Sequence, residues 1–165
     1  MEADKAPLFH TPAPVLPVPY ETEEEENGKT RTKTKYKVLV VEDDEDIRRY
    51  ICRELASDYH TLESCNGKEA LEAIQNAAPR TYDAILMDVM MPEMNGLEAT
   101  RCIRAFEGKG PDEGTPIIAM TANVFADDVK ACLDAGMNSH VGKPLDMKIL
   151  MAEILKYTNR TRSIC

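Results

Sequence analysis

Six residues of this sequence have types and positions suited to chemistry, and each follows a short apolar run. Glu42, Asp43 and Asp44 follow residues 37–41, Asp88 follows 82–87, Thr121 follows 116–120, and Lys143 comes just after 139–141. If those runs are parallel strands, their ends gather several carboxylates with one ammonium and one hydroxyl. Packed carboxylates repel one another unless protonated or neutralised, and a hard cation with oxygen ligands is the usual remedy. Mg2+ suits such a set, because it takes one or two carboxylates, keeps waters, and shares phosphate oxygens. A carboxylate also attacks phosphorus to form an acyl phosphate. Lys143 and the cation would neutralise charge on the transferring group, and the Thr121 hydroxyl could hydrogen-bond one of its oxygens. Taken singly, these residues have ordinary readings. Asp44 is a helix N-cap, Thr121 a strand-end threonine, and Lys143 a surface lysine. Their joint placement at successive strand ends is what points to a site.

The elements that must position them alternate in type. Residues 37–41 are a β-branched run, after which Ile47, Tyr50, Ile51 and Leu55 mark one face of a helix. A weaker strand over 59–63 precedes Asn66-Gly67, which opens a helix with Ala70, Leu71 and Ile74 turned inward. The third strand is 82–87, the third helix 96–106, and residues 108–114 form a glycine-rich loop. The fourth strand is 116–120; Val129, Cys132 and Leu133 mark a fourth helix closed by Gly136. A short strand, 139–141, precedes a last helix carrying Met147, Leu150, Met151, Ile154 and Leu155. Five strand–helix units predict an α/β fold with a parallel sheet and helices on both faces, since parallel strands need crossovers. The expected architecture is a flavodoxin-like, doubly wound (βα)5 fold with strand order 2-1-3-4-5. Ligand sites in such sheets lie at the carboxyl ends of the strands.

The 165 residues suffice for one domain with length to spare. Residues 1–35 read as a flexible linker or tail: Pro7, Pro12, Pro14, Pro17 and Pro19 precede the acidic run 21–26. Proline favours extended chain and like charges resist collapse, so a solvated tether is favoured over a docking peptide. Residues 36–160 are the folded domain and 161–165 a C-terminal tail. A net charge of −9 argues against a nucleic-acid-binding surface. The five cysteines are scattered without a Cys-x-x-Cys pair, which fits reduced thiols of an intracellular protein, most of them filling core space. Cys165 lacks the three following residues that a prenylation box needs. No run approaches the ~18 apolar residues of a membrane span, and no signal-peptide apolar region opens the chain, so a cytoplasmic location without membrane contact is expected.

Val40-Val41-Glu42-Asp43, Asp88-Val89-Met90-Met91-Pro92-Glu93-Met94-Asn95-Gly96, Met120-Thr121-Ala122 and Gly142-Lys143-Pro144 resemble, in order and spacing, the four motifs of response-regulator receiver domains. The resemblance implies that Asp88 is phosphorylated from a histidine kinase phosphodonor domain or a histidine phosphotransfer protein. It further implies that Asp43, Asp88 and the backbone carbonyl of Met90 bind Mg2+ with help from Glu42. Thr121 would be the switch hydroxyl, Lys143 the phosphoryl-binding lysine, and Lys143-Pro144 a cis peptide. Glu42 stands where many receivers carry Asp, and its extra methylene is expected to move the carboxylate outward. His140 occupies the position of the switch aromatic; it would either swing inward with Thr121 or remain a half-exposed strand histidine. Met90 and Asn123, two residues beyond Asp88 and Thr121, flank the path of hydrolytic water in such domains and predict slow self-dephosphorylation.

The segments 97–104, 120–123 and 135–140 look most like receivers fused to hybrid sensor histidine kinases, with a stand-alone single-domain regulator as the alternative. The sequence closing after its last helix is expected to carry no DNA-binding effector. An aspartate-nucleophile phosphatase of the haloacid-dehalogenase type is disfavoured, because it places an acid two residues after its nucleophile, where this chain has Met90. A dinucleotide-binding fold is excluded because no Gly-x-Gly-x-x-Gly follows the first strand.

Overall fold

The computed structural model describes residues 22–24, 30–32 and 35–163. Five parallel strands form the main sheet: β1 (Tyr36–Val41), β2 (Tyr59–Ser64), β3 (Ala84–Asp88), β4 (Ile117–Thr121) and β5 (Ser139–Gly142). Their order is β2-β1-β3-β4-β5, as expected. Each is followed by a helix: α1 (Glu45–Leu55), α2 (Gly67–Asn76), α3 (Gly96–Glu107), α4 (Ala126–Ala135) and α5 (Met147–Ser163).

Strand residues alternate between two cores. Leu39, Val41, Ile85, Met87, Ile117 and Ala119 pack with Ala70 and Ile74 of α2, Ala99 and Ile103 of α3 and Cys132 of α4. Val38, Val40, Leu86, Ile118 and Met120 pack on the opposite face with Ile51 and Leu55 of α1 and Leu150 and Ile154 of α5. Burial on both faces is why these strands read as continuous apolar runs. Three of the helices, α1, α2 and α3, start at polar caps. Asp44 accepts from the Ile47 amide, Asn66 from Glu69, and Asn95 forms a reciprocal capping box with Glu98.

Several sequence expectations need correction. On α1, Ile47 is 36% and Tyr50 40% exposed, so the face touching the sheet is narrower than the apolar periodicity. Leu133 and Leu155 are likewise about half exposed. Of the described cysteines only Cys132 is buried; Cys52 within α1, Cys65 just after β2 and Cys102 within α3 are partly exposed. Helix α5 runs to Ser163, past residue 160, because its last turns carry no glycine or proline stop after the apolar periodicity ends at Leu155. Within the stretch read as a linker, Thr22–Glu24 pairs antiparallel with Thr30–Thr32; residues 1–21 and Cys165 lie outside the described residues.

Arg104, not singled out from sequence, knits the end of the sheet remote from the acidic residues. Its guanidinium donates to the Gly136 carbonyl (2.9 Å), the Thr115 carbonyl (2.8 Å), Asn138 Oδ1 (2.9 Å) and Glu107 Oε1 (3.0 Å). Glu107 in turn accepts from the Thr115 amide, and Asn138 Oδ1 from the Ile117 amide. One buried fork thereby ties α3 to the loop before β4 and the turn before β5. A bidentate fork has no lysine equivalent. Arg104→Met should cost about 3–5 kcal/mol in urea unfolding, because Glu107 and two carbonyls lose a buried donor. Arg104→Lys should recover less than half of that loss; full recovery would show that charge alone suffices.

Candidate functional site

The acidic ends of β1 and β3 meet because the two strands are adjacent, with Val41 opposite Met87. Asp88 continues β3 and pairs with Met120 of β4, which sets Thr121 one residue further on. Thr121 in turn lies opposite Gly142, which places Lys143 next along β5. Carboxylate oxygens of Glu42, Asp43 and Asp88 all lie within 4.8 Å of one another. Lys143 Nζ donates to Asp88 Oδ1 at 3.0 Å and to Glu42 Oε1 at 3.1 Å. The Lys143-Pro144 peptide is cis, as the motif implied.

One expectation about this cluster changes. Glu42 does not turn outward: it is 1% exposed, and its second oxygen accepts from the Asp44 amide. Its extra methylene is used to reach Lys143, and Arg48 fixes its backbone by donating to the Glu42 carbonyl and to Glu63. Asp88, although at the end of its strand, is 2% exposed. Its Oδ1 takes donors from both Lys143 and the Met90 amide (3.3 Å), leaving Oδ2 without a hydrogen-bond donor among the described residues.

Burial pushes the Asp88 carboxyl up to about 7, and repulsion from Glu42 adds to it, while the hydrogen bond and charge of Lys143 pull it back. Lys143 is raised, because its two carboxylate partners outweigh the burial that would lower it. The cluster is therefore short of positive charge, the condition under which carboxylates take up a divalent cation. Asp43, exposed beside the two buried acids, completes a donor set of the oxygen type that Mg2+ prefers.

The remaining candidates surround this core. Thr121 is buried, and its hydroxyl donates to the Asn123 carbonyl (3.0 Å) while accepting from the Asn123 amide (3.1 Å). Met90 is 71% exposed and Asn123 is exposed, so both side chains stand at the open mouth. His140 is half-buried on β5, paired in register with Ala119. Sequence reading also passed over the reason for Gly96. A Cβ there would collide with the Asp88 carbonyl, so only glycine lets α3 begin directly against the end of β3.

A family model described as "Response regulator receiver domain" matches residues 38–155. The chain is 35% identical over 150 residues to "Probable histidine kinase 1" of Oryza sativa subsp. indica, covering 73% of this chain. It spans no more than 15% of the length of that kinase and of two further rice histidine kinases. Among solved structures, the receiver domain of sensor histidine kinase PA1611 from Pseudomonas aeruginosa, with magnesium coordinated in its active site cleft, aligns with a TM-score of 0.62 at 32% identity. That alignment covers 76% of this chain and 98% of the other. The receiver domain of Saccharomyces cerevisiae Ssk1, solved with the histidine phosphotransfer protein Ypd1, aligns with a TM-score of 0.65 at 27% identity, covering 77% and 91%.

The raised Asp88 carboxyl makes a prediction for the metal-free protein. Between pH 4 and about 7 the folded state holds a proton that the unfolded state has lost. Stability therefore falls as pH rises through that window and levels off above it. Asp88→Asn removes this dependence. In chelator the variant should unfold at a higher temperature than wild type near pH 8, with the gap closing towards pH 4. Parallel melting profiles across the window would refute the assignment.

Proposed function

The chain belongs to the response regulator receiver domain family, and from that premise we propose that Asp88 accepts a phosphoryl group from a phosphohistidine, with Mg2+ bound by the acidic cluster. The observation that carries this reading is three carboxylates with oxygens within 4.8 Å at the strand ends, two of them held by one lysine. Three ionised carboxylates and one ammonium leave two negative charges, which a divalent cation balances. Asp43, Asp88 and the Met90 carbonyl would hold the ion, with Glu42 assisting. When bound, the ion supplies charge neutralisation and orientation for phosphoryl oxygens.

In the transfer, Asp88 Oδ2 attacks phosphorus, the new O–P bond forms as the P–N bond breaks, and the departing imidazole nitrogen keeps the electron pair and takes a proton from water. Asp88 Oδ1 is already engaged by Lys143 and Met90, which orients the other oxygen for attack. The Lys143 ammonium, 3.0 Å from Asp88 Oδ1, would supply the second cation. Thr121 would exchange its bonds to Asn123 for a phosphoryl oxygen, pulling the loop after β4; His140 is proposed to follow. A ligand shifts such an equilibrium only if it contacts the two states differently, and that exchange is such a difference.

The partner is proposed to be a histidine kinase phosphodonor domain or a histidine phosphotransfer protein. Exposed Ile47 and Tyr50 on α1, with Met90, Val124 and Phe125 at the loops, give it an apolar landing around the site. Likeness to hybrid kinases supports a place within such a kinase over a stand-alone regulator. Among the described residues no helix is long and apolar enough to cross a membrane; the cytoplasmic placement belongs to this proposal.

Incubation with acetyl phosphate and Mg2+ should add one phosphoryl group, by mass spectrometry, at Asp88. Labelling that survives chelator or Asp88→Asn would overturn the proposal. The phosphoryl group should also be long-lived, since exposed Met90 offers no strong hydrogen bond to position water and Asn123 carries no charge to draw a proton. Met90→Asn with Asn123→Glu should speed decay about tenfold or more, short of the ~10²–10⁴-fold of a fully positioned acid or base. Equal decay of wild type and double variant would remove both side chains from control of water access.

A further inference from the structure

Resting on the metal reading of the acidic cluster, we propose that Arg48 is a positioning residue for the cation. It adds no ligand of its own; by holding the peptide between Glu42 and Asp43 it sets how tightly the cluster takes Mg2+. Asp43 is the least constrained member of that cluster. Glu42 is engaged at both carboxylate oxygens, by Lys143 and by the Asp44 amide, and Asp88 is engaged by Lys143 and the Met90 amide. The Asp43 carboxylate is exposed and accepts no hydrogen bond among the described residues. Its place is therefore set by its own backbone. That backbone begins with the peptide joining it to Glu42, just past Val41, where the pairing of β1 with β2 and β3 ends.

Arg48 takes over where the sheet stops. Its Nη1 donates to the Glu42 carbonyl at 2.9 Å, and its Nε donates to Glu63 Oε1 at 2.8 Å. Glu63 stands on β2, opposite Val40 in register. The Arg48 side chain is 14% exposed. A guanidinium is a rigid plane, so bonds made from Nε and Nη1 together leave it little freedom to turn. The orientation of the Glu42–Asp43 peptide is thereby tied to β2, a strand that supplies no member of the cluster. Without that donor the carbonyl of the buried Glu42 would turn to find another, because buried carbonyls are rarely left unpaired. Asp43 would turn with it.

Charge alone predicts the opposite sign. Arg48 is a cation close to the acidic loop, so its charge opposes the arrival of Mg2+, and removing that charge would tighten binding. Removing a residue that positions Asp43 loosens binding instead. Groups that orient a metal ligand from behind commonly govern affinity by about 10–100-fold. The two roles are therefore separated by the direction of a single measured change.

The test is calorimetric titration of the unphosphorylated full chain with Mg2+, for wild type, Arg48→Met and Arg48→Lys. Arg48→Met should bind about tenfold more weakly. Arg48→Lys keeps the charge but cannot reproduce the planar fork, so it should recover less than half of that loss on a logarithmic scale. In chelator, the amides of Asp43 and Asp44 should move in both variants, while those of the buried Ile85, Leu86 and Ile118 stay in place. Acetyl phosphate labelling of Arg48→Met should need about tenfold more Mg2+ for half its maximal rate, and should approach the wild-type rate at saturation. Equal or tighter Mg2+ binding by Arg48→Met would overturn the positioning role. Wild-type affinity in Arg48→Lys would do the same, and that milder variant decides the matter if Arg48→Met does not fold. Both outcomes leave wild-type metal binding standing, whereas a wild type that binds no Mg2+ would overturn the functional reading itself.

Discussion

Two acids, Glu42 and Asp88, are taken out of water at the ends of neighbouring strands and share one ammonium. Each buried charge costs several kcal/mol in lost hydration, and a single lysine repays this only if the three groups are held rigidly. That requirement explains much of the molecule. The strands carrying the acids are packed on both faces by fully buried side chains, so their ends have little freedom. Gly96 lets α3 press directly on the Asp88 backbone, and Arg48 pins the Glu42 carbonyl. The cis Lys143-Pro144 peptide and the bond from the Lys143 amide to the Thr121 carbonyl (2.8 Å) belong to the same enclosure.

The two ends of the sheet solve opposite problems. At the carboxyl ends, negative charge exceeds positive, and the deficit is what a cation or an arriving phosphoryl group with its cation can exploit. At the amino ends, Arg104 meets Glu107 and three further acceptors, so its charge is spent within the fold. Full satisfaction makes a network structural, whereas a shortfall leaves capacity for ligands. Both lie among side chains of mixed charge, and composition alone does not distinguish them.

That contrast also marks what could be read from sequence. Strand order and the gathering of Glu42, Asp43, Asp88, Thr121 and Lys143 were legible, because apolar runs ending in chemically unlike polar residues restrict the topology to few choices. Side-chain direction was not. Nothing in Glu42 as a residue type says that its longer arm turns inward to Lys143, since this depends on a lysine 101 positions away. The width of a helix's buried face was equally hidden. Ile47 and Tyr50 share the apolar period of Ile51 and Leu55, yet the sheet is in reach of only the last two. Arg104 was invisible for a related reason: its partners come from its own helix and from two separate loops, and no local pattern announces them.

On the proposed function, the hydrogen bonds set an order in which the site would respond. Lys143 holds both buried acids, and Thr121 is closed on the Asn123 backbone. A cation entering beside Asp43 would relieve the repulsion that Lys143 alone now offsets, lowering the cost of moving the ammonium. A phosphoryl group on Asp88 would then add charge beyond what the cation balances, and the ammonium nearest to it belongs to Lys143. In the proposed switching, a moving Lys143 would carry with it the end of β5, to which His140 belongs, and Thr121 on neighbouring β4 would follow. The metal-free arrangement thus holds Lys143 on the two acids and Thr121 on the Asn123 backbone. It keeps the half-buried Lys143 bridging the two acids until a better partner for its charge arrives.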